Sequence, residues 1–244
     1  MDRREGGRRD HGRSRHREAT WSRRHWLAGA GALAGLTVSG RAFGQSGSDD
    51  EEVSPAEDLM REHGVLKRVL MVYREAIRCI DARRDLSPEV LRDSAGIIRT
   101  FIEDYHEKLE EDHLFPRFEK ARRLTELTTI LRAQHQAGRR VTDRITRLSL
   151  LETLKAPQAA RQLRDLLQVF IDMYEPHEAR EDTVLFPAFR TIVSKEEYGA
   201  LGEAFEKREH QLFGADGFET MVERVGAIEK RLGIYDLARF TPKD

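Results

Sequence analysis

The chain is almost without cysteine: Cys79 is its one copy in 244 residues, which excludes an internal disulfide framework and any cysteine-rich metal site. On a helix it reads as a small core residue. Membrane-length apolar runs are missing as well. The stretch from Trp26 to Val38 is 13 residues long, short of the roughly 20 a spanning helix needs. Runs of β-branched residues are scarce and 35% of the residues are charged, which favours helices over strands. A basic surface is lacking too. The net charge is −1, and because residues 1–44 hold ten Lys and Arg against four Asp and Glu, the remainder is acidic. Such a remainder suits neither nucleic acid nor an anionic membrane. What is left fits a single soluble domain, with 39% hydrophobic residues supplying a modest core.

The N-terminus reads as a leader. Residues 1–20 are Arg-rich and polar and are expected to be disordered. Ser22-Arg23-Arg24-His25-Trp26-Leu27 precedes the short Gly- and Ala-rich apolar run, with small residues near Ala42 and Gly44. This resembles a twin-arginine export signal, with Trp26 where Phe is commoner. The resemblance implies handling by the twin-arginine machinery, cleavage near Gly44 and a periplasmic or otherwise exported bacterial protein without stable membrane insertion. Residues 45–54 then form an acidic linker.

The rest is organised around a stretch written twice. His106 to Phe118 reads HEKLEEDHLFPRF and His177 to Phe189 reads HEAREDTVLFPAF. At an offset of 71, His106 matches His177, Glu110 matches Glu181 and Leu114-Phe115-Pro116 matches Leu185-Phe186-Pro187. At an offset of 72, His63 falls on His135. The unit is a His followed about 42 residues later by His-x-x-x-Glu, a spacing that stacks imidazole and carboxylate one helical turn apart. A duplicated helical hairpin is the simplest reading, and it gives four helices.

Local signals agree. Ser54, Pro55 and Glu57 make a capping box and an N1 proline, and Leu59, His63, Leu66, Leu70 and Tyr73 form an inward stripe. Ser87-Pro88 opens the second helix, which Pro116 should kink or restart. The third follows Arg122-Arg123 and carries His135 and Gly138 inward, with Gly138 expected to leave room beside His135. Ala156-Pro157 opens the fourth, which Pro176 should bend. Ser194 to Glu197 cap a fifth helix to about Phe213, and residues 217–232 form a sixth. The expectation is an all-α, antiparallel up-down four-helix bundle over 55–193, with a C-terminal helical extension over 194–244 packed outside it.

In an antiparallel hairpin, residues equidistant from the turn share a level. His63 and His106 are equidistant from the first turn at 84–85, Glu110 and His135 from the second at 122–123, and His135 and His177 from the third at 156. Three turns therefore bring His63, His106, Glu110, His135, His177 and Glu181 into one layer. A lone inward histidine is usually a hydrogen-bonded core residue. Four at one level with two carboxylates are different, because buried Glu charges without cations cost several kcal/mol each. Imidazole and carboxylate without thiolate suit iron, manganese or zinc. Structural zinc takes four ligands in a closed tetrahedron, whereas six suit two ions, each with two histidines and with Glu110 and Glu181 bridging. His113 is a weaker candidate, because its repeat mate is Val184. Tyr105 and Tyr174 read as core aromatics, Glu111 and Asp182 as outward solvated charges, and His210 as structural.

On these motifs the segment from about Ala56 to Phe189 resembles the hemerythrin-like (HHE) family. The resemblance implies two non-haem irons, joined by an oxo or hydroxo bridge, held by the six residues. It also implies a small ligand such as O2 or NO. Oxygen-carrying hemerythrins have a fifth His where this chain has Arg139 and an Asp where Asp182 stands. The set of four His and two Glu is closer to bacterial iron-centre repair proteins, but nothing before residue 55 resembles their N-terminal cysteine-containing domain. A store, scavenger or sensor of O2 or NO is the leading expectation. A di-iron peroxidase, oxidase or NO reductase, or an iron storage or delivery protein, is the alternative.

Overall fold

The computed structural model describes residues 54–242; the expected leader and all but the last residue of the linker lie outside them. Helix α1 spans Pro55–Asp81, and the Ser54 hydroxyl accepts from the Glu57 amide at 3.4 Å, as the capping signal predicts. Helix α2 runs as one rod over 88–121, and α3 is Thr125–Leu148. A short turn of helix, Leu151–Lys155, leads to α4 over 157–189. Only three residues join α2 to α3, and two of them, Arg122 (φ 52) and Leu124 (φ 51), are left-handed. That conformation costs each about 1 kcal/mol or more, and it reverses the chain fast enough to keep α2 and α3 in register.

The four rods form the expected antiparallel bundle. Each contacts its successor, and α4 closes back on α1. The inward stripes are buried as their spacing requires, with Leu59, Leu66, Leu70 and Tyr73 of α1 and Leu163, Leu167 and Phe170 of α4 sharing one core. Helix α4 continues through Pro176.

Both rods that carry His-x-x-x-Glu widen at the same point. Glu110–Leu114 and Glu181–Leu185 are π-helical turns, closed by hydrogen bonds from the Phe115 amide to the Glu110 carbonyl and from the Phe186 amide to the Glu181 carbonyl. The following Pro116 and Pro187 have no N–H to give an α-helical ladder. The helix accommodates each with one extra residue per turn instead of the break that Pro116 alone suggests, and such turns concentrate at functional sites.

Helices α5 (Lys195–Phe213) and α6 (Gly217–Leu232) lie outside the bundle as expected. Helix α6 covers α1 and α2 with Met221, Val225 and Ile228, and Arg68 of α1 reaches Glu229 at 3.0 Å. No helix among the described residues is long and apolar enough to cross a membrane.

Candidate metal centre

All six residues of the repeated motif meet in one buried layer at mid-bundle, none more than 3% exposed. His63 and His106, from α1 and α2, have ring centroids 4.7 Å apart; His135 and His177, from α3 and α4, are 5.0 Å apart with their Nε2 atoms at 3.2 Å. The carboxylates lie between the pairs. Glu181 stands 3.1 Å from His177 Nε2 and 3.4 Å from His63 Nε2, and Glu110 stands 3.5 Å from His135 Nε2 and 3.8 Å from His106 Nε2. Each glutamate thus reaches one histidine of either half. Phe115 stacks on His135 at 5.5 Å and Phe186 on His63 at 5.6 Å, so the repeated Leu-Phe-Pro supplies each half with a lid over the other half's ring.

The outward Nδ1 atoms are all held. His63 Nδ1 meets Asp182 at 2.7 Å, His106 Nδ1 meets Glu62 at 2.7 Å, His135 Nδ1 meets Glu111 at 3.1 Å and His177 Nδ1 meets the Gln134 amide oxygen at 2.9 Å. These oxygens accept, so each Nδ1 carries a hydrogen and Nε2 is the nitrogen left to face a cation, as a metal ligand needs. Every partner comes from a neighbouring helix, and every partner adjoins a layer residue in sequence. The holds form a closed ring: α1 on α2, α2 on α3, α3 on α4 and α4 on α1.

Comparison with known proteins agrees with this geometry. Residues 54–189 match the hemerythrin HHE cation-binding domain. The chain belongs to that family. An uncharacterized protein of Mycobacterium tuberculosis strain H37Rv is 46% identical over 235 residues, covering 92% of each chain, and an uncharacterized protein of Mycobacterium bovis is similar to the same extent. No solved structure matches at a significant level.

The donors of this HHE domain fit metal cations. Both oxygens of Glu110, both of Glu181 and Nε2 of His106 are buried without a hydrogen-bond partner, an arrangement that costs several kcal/mol per charge unless a cation sits among them. One donor atom from each of His63, His106 and Glu110 falls within a 4.8 Å group, and the same holds for His135, His177 and Glu181. Without a cation, protons take its part. Burial and repulsion from Glu181 push the Glu110 carboxyl well above its ordinary range. Burial opposes charge on Glu181 too, but His177 and His63 outweigh it and hold this carboxyl low. Burial likewise opposes charge on His63, yet Asp182 and Glu181 push the ring up to about 9. Burial lowers His106 and His135.

Three expectations need correction. Glu111 and Asp182 are not outward solvated charges: they hold His135 and His63, and Glu111 is also bound at 2.8 Å by Arg139. Burial would raise Glu111, but His135, Lys108 and Arg139 keep it well below the usual carboxylate range. Gly138 makes room for Tyr174 instead of His135, since a Cβ there would lie 2.1 Å from the tyrosine hydroxyl. Tyr174 donates to Glu107 at 2.7 Å, and Arg139 braces the same Glu107 at 2.8 Å. His113 packs on Phe205 of α5 at 5.4 Å and joins no donor group of the layer. His210 is exposed, 3.8 Å from Glu206. Glu62 and Gln134 escaped sequence reading altogether. The signal was there in the repeat, because an offset of 72 maps Glu62 onto Gln134 and an offset of 71 maps Glu111 onto Asp182.

Proposed function

We propose that this HHE domain holds two non-haem irons in the layer and binds a small diatomic molecule, O2 or NO, as a store, scavenger or sensor. The supporting observation is the reach of Glu110 and Glu181, each within 3.8 Å of a histidine from both halves. Carboxylates so placed suit bridging of a pair, and imidazole with carboxylate and no thiolate suits iron. When bound, the iron pair would supply the Lewis acidity and the electrons that hold a diatomic ligand.

The chain's own residues do the rest. Asp182, Glu62, Glu111 and Gln134 fix the ring planes. Phe115 and Phe186 cover two rings with apolar surface and keep bulk water from them. The Tyr174 hydroxyl is committed to Glu107, which ties the aromatic beside His177 to helix α2. Export is proposed alongside, on the Arg23-Arg24 pair and the short apolar run that follows.

Metal analysis and optical spectra of the mature protein, reduced with dithionite and then exposed to O2 or NO, test the function. Two irons per chain and a spectrum that shifts and returns when the gas is removed are expected. Two irons with steady consumption of H2O2 or NO would move the assignment to a di-iron oxidoreductase. A folded chain that takes up a single zinc would sink the iron-pair reading.

A further inference from the structure

The two copies keep the same six donors around the layer and differ in the groups that back the histidines. Glu111 and Asp182 are repeat mates and both are carboxylates; Glu62 and Gln134 are repeat mates, and one is an amide. The difference lands on one side. His63 and His106 are backed by Asp182 and Glu62, both at 2.7 Å. His135 and His177 are backed by Glu111 at 3.1 Å and Gln134 at 2.9 Å.

Counter-charges widen the gap. Arg139 and Lys67 are also repeat mates. Arg139 binds Glu111 at 2.8 Å, whereas Lys67, half exposed, stands 3.5 Å from Asp182. A carboxylate that accepts Nδ1–H draws the proton towards itself and leaves Nε2 richer in electron density, so the ring is a stronger donor to a cation. An amide oxygen carries no net charge and does this less. A carboxylate already satisfied by a guanidinium also does it less.

We propose that the two halves of the centre are unequal, with the position beside His63 and His106 holding its divalent cation more tightly than the position beside His135 and His177. Gln134 is the positioning residue chiefly responsible, acting through His177. The inference rests on the two-ion reading above. It makes the His135–His177 side the one that loses metal first.

The test uses the full mature chain loaded anaerobically with Fe(II), mixed with excess ferrozine and followed by absorbance. The wild type is expected to release its iron in two phases of one ion each, with rates roughly tenfold or more apart, the scale on which outer-shell partners alter metal affinity. Gln134→Glu should slow the fast phase towards the slow one. Asp182→Asn, nearly isosteric at a part-exposed position, should instead speed the slow phase towards the fast one, and it decides the matter if the Gln134 variant fails to fold. Two ions leaving the wild type in a single phase, or an unchanged slow phase in Asp182→Asn, would overturn the inference and leave the iron pair intact. Uptake of fewer than two ions would overturn both.

Discussion

Gly138 has no side chain for a reason that lies across the bundle. Its missing Cβ leaves space for the Tyr174 ring, whose Cζ would otherwise be 2.9 Å away. Tyr174 is buried, packs at 5.4 Å from the His177 ring and donates to Glu107. Gly138→Ala would gain about 1 kcal/mol of helix propensity. Overpacking a filled core costs about 1–3 kcal/mol, so a lower melting temperature is expected by calorimetry, and an unchanged or raised one would mean that Tyr174 yields freely. Single residues were legible in the sequence where chemistry and period coincide: the four histidines and two glutamates sit on apolar stripes and recur at a fixed offset. Glu62, Glu111, Gln134 and Asp182 were not. Each lies one residue from a layer residue, and the 100° turn per residue carries it off the inward stripe. On an isolated helix that position is solvent; in the bundle it is the seam against the next helix.

At the scale of elements, the start of α1 and of α5 followed from capping boxes, and both proved to be capped by their serines. The π turns could not be read, because a proline marks a disturbance in the ladder without saying how it is absorbed. A second element-level feature holds the C-terminal segment to the bundle. Glu75 of α1, 2% exposed, takes Arg84 at 2.8 Å, Arg78 at 3.2 Å and Arg239, from beyond α6, at 3.3 Å. Burial alone would raise this carboxyl, but the hydrogen bonds from Arg84 and Arg78 and the charge of Arg239 hold it below its ordinary 4.5. The stabilisation is therefore complete above the ordinary carboxylate range and is lost as pH falls through the lowered value. Glu75→Gln should cost about 1 kcal/mol at pH 7, since its partners are largely exposed. Urea midpoints should show the variant losing less than the wild type between pH 7 and pH 3. Equal losses would remove Glu75 from the account of acid sensitivity.

For the molecule as a whole, the layer is sealed by four helices, so its cations must enter as the bundle forms or through its opening. A pathway that moves folded proteins would suit such a centre, in keeping with the export proposed on Arg23 and Arg24. Replacing Arg23 and Arg24 together by Lys should leave the metal-loaded chain in the cytoplasm on fractionation. Unaltered export would remove the twin-arginine assignment. Bundle topology was legible because three turns independently set the same level; how α5 and α6 sit was not, because nothing in their amphipathic pattern names the groove that receives them. The ring of imidazole holds has one more consequence. Two of its four links, Glu62 to His106 and Gln134 to His177, close within a hairpin, and two, Glu111 to His135 and Asp182 to His63, cross between hairpins. Two copies of a single hairpin facing each other across a dyad would make the same ring with every link intact. In such a dyad the two halves of the layer would be identical by symmetry. Within one chain the two copies are held to no such identity, and Glu62 and Gln134 are mates that differ.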